Sequence, residues 1–195
     1  MNNNLITIFI LAGGKSSRMG TDKGLIPFRG KTIIEQIIDK LKPLTENIVI
    51  ISNNPDYKTF GYEVIPDIIK DIGPAGGIHT ALTHYTTDLN FIVSCDMPFI
   101  TTEAAQLIIN LPSDAQIIVP EHEGKIEPLF GLYHKSCLPQ WDALIRQGFL
   151  KLQEMIACFN LLKTDVSGHP LFNYPLFVNI NTPDDLSTAL TNTDL

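Results

Sequence analysis

Leu5-Ile6-Thr7-Ile8-Phe9-Ile10-Leu11-Ala12-Gly13-Gly14-Lys15-Ser16-Ser17-Arg18-Met19-Gly20-Thr21-Asp22-Lys23 is the stretch whose reading decides the fold. Its first seven residues form a nearly unbroken apolar run, which predicts a buried β-strand. The run gives way to two glycines and then to three cations, Lys15, Arg18 and Lys23. Glycine lets backbone N–H groups approach an anion closely, and successive N–H groups in such a turn form a concave anion site. A polyphosphate is the guest that suits it. Two familiar phosphate loops do not fit. A Walker loop needs glycine five residues before Gly14, where Phe9 stands, and the dinucleotide fingerprint needs a second glycine where Lys15 stands.

Outward from this loop, apolar runs alternate with helical patterns, as in an α/β sheet. Thr32-Ile33-Ile34-Glu35 reads as a capping box opening a helix with Ile33, Ile34, Ile37, Ile38 and Leu41 on one face. Strands are expected at 48–52, 63–66, 91–93, 116–119, 129–133 and, last, Phe177-Val178-Asn179-Ile180. Helices are expected at 77–84, 102–110 and across 136–159 with a break at Gly148. Thr182-Pro183-Asp184-Asp185 supplies a cap, a first-turn proline and two acids for a final helix. No repeat or linker divides the 195 residues, so a single domain over 1–195 is expected.

A net charge of −7 argues against nucleic acid or an anionic membrane as partner. The three loop cations, out of 14 Lys and Arg in all, therefore stand against an unfavourable background. Cys95, Cys137 and Cys158 are odd in number and scattered, which points to reduced thiols rather than a disulfide framework or zinc site. Residues 5–12 are too short to cross a bilayer, and no Lys or Arg precedes them as in a signal peptide. A cytoplasmic protein is expected.

In an open α/β sheet, ligands sit outside the carboxyl ends of the strands. The glycine loop follows the first expected strand, Ser52-Asn53 the second, Asp67 the third and Cys95-Asp96 the fourth. Asn179 and Asn181 flank Ile180 at the end of the last expected strand, where residues two apart share a face. Asp96 places one carboxylate after an apolar strand, facing the phosphate loop. That suits magnesium, which takes oxygen ligands and commonly binds one or two carboxylates plus substrate phosphates. A helix cap is the competing role for Asp96. Gly73-Pro74-Ala75-Gly76-Gly77 reads as a backbone-rich turn that lets a flat purine lie close, or equally as an ordinary loop. The five histidines lack metal spacing, and no Gly-x-Ser-x-Gly elbow occurs.

The wording Leu-Ala-Gly-Gly-x-Ser-x-Arg-Met-Gly-x-Asp-Lys at 11–23 resembles the signature of sugar-nucleotide-type nucleotidyltransferases, and most of all the molybdenum cofactor guanylyltransferase family. Cys-Asp-Met-Pro-Phe at 95–99, Gly-Pro-x-x-Gly at 73–77 and Val-Asn-Ile-Asn-Thr-Pro at 178–183 resemble further segments of it, so the likeness spans nearly the whole chain. The resemblance implies a mostly parallel, Rossmann-like nucleotidyltransferase sheet flanked by helices. It implies transfer of GMP from GTP to the phosphate of molybdopterin cofactor, with release of pyrophosphate. Leu11, Ala12, Gly13 and Gly14 would hold the nucleotide with Lys23, and Arg18 and Lys23 would be catalytic cations. Asp96 would hold Mg2+ and act in catalysis. Asp67 resembles the family's base- or ribose-contacting aspartate; Gly73 and Gly76 would lie near the guanine, with Ser52 or Asn53 at the nucleotide. Asn179 or Asn181 would contact the acceptor or the ion. Glu127-Pro128-Leu129 resembles a strand-opening segment of the family. Partners beyond GTP and molybdopterin cofactor would be other proteins of molybdenum cofactor biosynthesis. The alternatives are a cytidylyl- or other guanylyltransferase with a different phosphate acceptor, and a non-catalytic nucleotide sensor.

Overall fold

The computed structural model describes residues 6–13, 22–84 and 87–191. The opening run forms β1 (Ile6–Leu11), every residue of it buried. Strands buried on both faces read as continuous apolar runs because each face meets a helix layer. The alternation of side chains along β1 divides them accordingly. Ile6, Ile8 and Ile10 enter one core, with α1 (Ile33–Leu41) and α3 (Thr102–Ile109), while Phe9 and Leu11 enter the other, with α2 (Pro74–His84) and α4 (Leu138–Arg146).

β1 pairs in parallel with β4 (Ile48–Ile51) on one side and β6 (Leu89–Ser94) on the other. β5 (Glu63–Ile65) extends the first side. Beyond β6 lie β9 (Phe130–His134), which is antiparallel, then β7 (Ile117–His122) and the edge strand β10 (Leu161–Asp165). β8 (Lys125–Ile126) folds back on β7 as a hairpin. The sheet order is β10-β7-β9-β6-β1-β4-β5, mostly parallel, as the resemblance implies. The chain moves from β1 to β4 and β5, then crosses to β6 on the opposite side of β1. That reversal opens a crevice at the carboxyl end of β1, the place where open sheets bind ligands.

Local signals hold where the interactions are local. The Thr32 hydroxyl accepts from the Glu35 N–H at 3.4 Å, and the Glu35 carboxylate accepts from the Thr32 N–H at 2.7 Å, closing the predicted capping box of α1. Before it, β2 (Pro27–Phe28) and β3 (Lys31–Thr32) form a small hairpin absent from the sequence reading. Arg29 and Gly30 turn it with φ of 48° and 86°, a pair of positive angles that suits a tight hairpin. The long helical segment breaks as expected near Gly148, into α4 and α5 (Leu152–Ile156).

The expected last strand, Phe177 to Ile180, is not a strand. Phe177 instead packs its ring against Phe130 at 5.8 Å, Phe172 at 5.9 Å and His122 at 5.9 Å. Phe177 is half-buried in this aromatic cluster, and Ile180 is the fully buried residue of the run. The parallel edge strand is β10, whose lysine and aspartate suit a strand with one side in water. α6 (Pro183–Thr191) follows with its own cap: Asp185 accepts from the N–H groups of Asn181 at 2.9 Å and Thr182 at 2.8 Å, and its own N–H donates to the Thr182 hydroxyl at 3.1 Å. Among the described residues no helix is long and apolar enough to cross a membrane.

Candidate active site

A cleft of about 810 Å³ opens at the carboxyl ends of β1, β4, β5 and β6. Leu11, Ala12 and Gly13 form its floor at the end of β1, and Ser52, Asn53 and Asp67 line the wall beyond β4 and β5. Gly73 and Pro74 bring the start of α2 to it, and Lys23 and Asp96 stand on the opposite side. The fold therefore gathers into one hollow residues that the sequence scatters over 85 positions or more. Gly14, Lys15 and Arg18 lie outside the described residues.

Lys23 and Asp96 are its electrostatic centre. The Lys23 ammonium donates to Asp96 Oδ2 at 3.0 Å and also to the Asn181 side-chain oxygen. The pair is largely shielded, at 24% and 15% side-chain exposure. Ser94, the last residue of β6, donates its hydroxyl to Asp96 Oδ1 in the following turn at 2.6 Å. Asp96 is thus held on both oxygens and does not cap a helix. α3 is capped by Thr101, whose hydroxyl accepts from the Ala104 N–H at 3.1 Å. The Cys95 N–H donates to the Leu11 carbonyl at 3.1 Å, tying the Asp96 corner to the phosphate loop's strand.

Asn181 and Asn179 reach this corner by a loop rather than by the expected strand. The Ile180 N–H donates to the Asp96 carbonyl at 2.9 Å, which docks the loop directly on Asp96. Asn181 then meets Lys23, whereas Asn179 Oδ1 is buried without a hydrogen-bond partner. The two side chains take different surroundings because no pleat holds them on one face.

On the opposite wall Asn53 donates its amide to Asp67 Oδ2 at 2.8 Å. Burial pushes the Asp67 carboxyl above the usual aspartate range, against the lowering effects of Asn53 and Lys70. Ser52 is buried and its hydroxyl accepts from the Asn54 N–H at 3.1 Å, so it shapes the turn, while Asn53 faces out. Burial also pushes up the Glu127 carboxyl, which lies beyond Asp96 and outside the cleft lining.

Two expectations need correction. The Ala12 N–H donates to the Ile51 carbonyl at 2.8 Å and is committed to the sheet, so it is not a phosphate donor. Gly76 does not line the cleft. α2 begins at Pro74 rather than Gly77, which places Gly76 inside the helix, where an added Cβ would stand 2.6 Å from the Ile69 carbonyl oxygen. Its bareness permits packing of α2 against the preceding loop. Gly77, which does line the cleft, leaves room for Leu11. Sequence reasoning missed Asp22, Ser94, Asn54, Asp71 and Leu129 as lining residues. Asp22 was reachable as a residue of the quoted wording at 11–23, and Ser94 as the end of an expected strand; the others carry no local signal.

A switch-point cleft with a lysine–aspartate pair beside the end of β1 suits the nucleotidyltransferase class. Residues 8–161 match the family described as the MobA-like NTP transferase domain, and the chain belongs to that family. It is 42% identical over 183 residues to a probable molybdenum cofactor guanylyltransferase of Flavobacterium johnsoniae, covering 93% of this chain and 95% of that one. A molybdenum cofactor guanylyltransferase of Vibrio campbellii is 41% identical, with 91% of each chain covered. The crystal structure of molybdopterin-guanine dinucleotide biosynthesis protein A from Archaeoglobus fulgidus superposes with a TM-score of 0.79 at 27% identity, over 94% of this chain and 96% of that one.

Proposed function

We propose that the chain acts as one cytoplasmic, magnesium-dependent domain that transfers GMP from GTP to the phosphate of molybdopterin cofactor and releases pyrophosphate. The observation that carries this reading is the Lys23–Asp96–Asn181 cluster beside the end of β1. The names and extent of the relatives support the choice of base and acceptor.

No general base is needed. A phosphate monoester has a second pKa of about 6, so its oxygen is already largely anionic near neutral pH. The protein's work is to align two polyanions and to neutralise charge on the α-phosphoryl and the leaving pyrophosphate. Lys23 supplies a held cation for that charge, and Asn181 keeps the ammonium in place. Arg18 and the backbone N–H groups of Gly13 and Gly14 are assigned to the triphosphate alongside it. Asp67 and Asn53 offer an acceptor and a donor to base or ribose from the opposite wall, near Gly73.

The donor set fits magnesium. Among the described residues no group of three or more His, Cys, Asp or Glu is placed to hold a metal. Magnesium, however, needs only one or two protein oxygens when phosphates complete its shell. Asp96 would hold it, with phosphate oxygens completing the shell; Asn179, whose buried side-chain oxygen lacks a hydrogen-bond partner, would be the candidate for a second hard oxygen ligand, since the next residue, Ile180, is docked on the Asp96 carbonyl. When bound, the ion supplies Lewis-acid stabilisation of phosphoryl oxygen charge.

Calorimetry with GTP, ATP, CTP and UTP in the presence of magnesium tests the base. Guanine's N1–H and N2–H₂ are donors that an acceptor such as Asp67 can pair, so GTP should outbind ATP by at least about tenfold, the value of one such bond. Equal affinity for the two purines would sink the guanine assignment. GMP transfer to molybdopterin cofactor tests the acceptor.

The raised Asp67 pKa gives that affinity a pH dependence. Only the ionised carboxylate accepts from two donors at once. As pH falls through its raised pKa the group becomes protonated, so GTP affinity should begin to fall above the usual aspartate range of about 4. Asp67→Asn should remove this step from the affinity profile. A wild-type and variant profile of the same shape would show that Asp67 does not touch the nucleotide.

A further inference from the structure

Tyr57 is fully buried, and its hydroxyl is turned to Asp22, a residue of the cleft lining. It lies in the 3-10 turn Pro55–Phe60, just after the Ser52–Asn54 wall. From there the hydroxyl donates to Asp22 Oδ1, 35 residues earlier in the chain. Asp22 opens the short turn Lys23–Leu25, closed by the Leu25 N–H on the Asp22 carbonyl at 3.0 Å and the Ile26 N–H on the Lys23 carbonyl at 3.2 Å. Gly24 sits flat against the tyrosine. A Cβ there would stand 2.5 Å from the Tyr57 hydroxyl oxygen and 3.1–3.2 Å from two ring carbons. Such contact leaves this turn little freedom to shift. A phenylalanine would fill the core as well, so the hydroxyl answers to its polar neighbours, Asp22 and the Cys95 side chain, rather than to packing.

We propose that Tyr57 and Asp22 are positioning residues, a latch that fixes the Lys23 turn so that the ammonium stands at the triphosphate site. The latch also joins the two sides of the cleft. Asn54 caps the Tyr57 turn by accepting from the Asp56 N–H at 3.0 Å, and its neighbour Asn53 holds Asp67. Asp22 is one of four aspartates that line the cleft, beside Asp67, Asp71 and Asp96. Its position there is explained by what it holds. The proposal rests on Lys23 as the triphosphate's cation, but not on the identity of base or acceptor.

The test is calorimetric affinity for GTP, CTP and inorganic triphosphate in the full chain. Asp22→Asn and Asp22→Ala both remove the charge, but only asparagine keeps an oxygen for the Tyr57 hydroxyl. Asp22→Ala should bind all three probes about tenfold more weakly than Asp22→Asn, as expected for one misplaced charge-assisted contact. Tyr57→Phe should weaken all three by a similar factor relative to wild type, and should cost nothing further in a Lys23→Ala background. Equal binding by the two Asp22 variants would overturn the latch. So would a Tyr57→Phe loss that persists undiminished without Lys23, since it would then reflect general destabilisation. An error in the proposed base or acceptor appears instead as a changed preference among nucleotides or as absent transfer, with these ratios unaltered.

Discussion

Asp96→Asn should give a folded protein whose GMP-transfer rate, with magnesium and molybdopterin cofactor, is at least about 100-fold below wild type, the loss seen when one electrostatic contact to developing charge is removed. Asparagine keeps the shape of the side chain and an oxygen for the Ser94 hydroxyl, which now stands 2.6 Å from Asp96 Oδ1. What it removes is the negative charge that a hard divalent cation requires. The scaffold does not depend on that charge, because α3 takes its cap from Thr101. Lys23 loses its ionic partner but retains Asn181. Thermal unfolding should therefore move little while the rate collapses, and added magnesium should restore only part of it. Near-normal turnover would refute the metal assignment and the mechanism built on it.

Lys23→Ala should weaken GTP binding more than it weakens the fold. A charge-assisted hydrogen bond contributes about 1.5–3 kcal/mol, so affinity should drop by about 10- to 150-fold. The lysine is only about one-quarter exposed, so its interaction with a triphosphate is less screened than that of a surface cation. Its removal also leaves Asp96 without a counter-charge in a half-enclosed corner, which adds some destabilisation. Calorimetry at two salt concentrations beside thermal unfolding separates the two effects. The wild-type affinity should fall with salt more steeply than that of the variant. Unchanged GTP affinity would return Lys23 to the status of a structural partner of Asp96.

The class of fold and much of the site were legible in the chain itself. β1 is a run of six buried residues, and an unbroken apolar run beside a glycine loop has few other destinations. The Thr32–Glu35 box and the Thr182–Asp185 cap are closed by groups three residues apart, so their signal is local and survives intact in sequence. Asp67 and Asp96 were found because strand ends in an open sheet point to one crevice.

Tertiary structure decided the rest. Whether Phe177–Ile180 pairs or packs depends on Phe130 and His122, which only the folded chain brings near it. Apolarity alone records that a segment is buried, not what buries it. Likewise, the Ala12 N–H looked available until β4 claimed it, and Gly76 looked like part of a ligand-facing turn until the Ile69 carbonyl was seen against it. The contacts from Lys23 to Asp96 and Asn181 span 73 and 158 residues, and Tyr57 reaches Asp22 across 35. Local periodicity and capping are written within a few residues because their forces act over one helical turn or one pleat. Which distant side chains meet is set by the packing of whole layers, and no short stretch of sequence contains that distance.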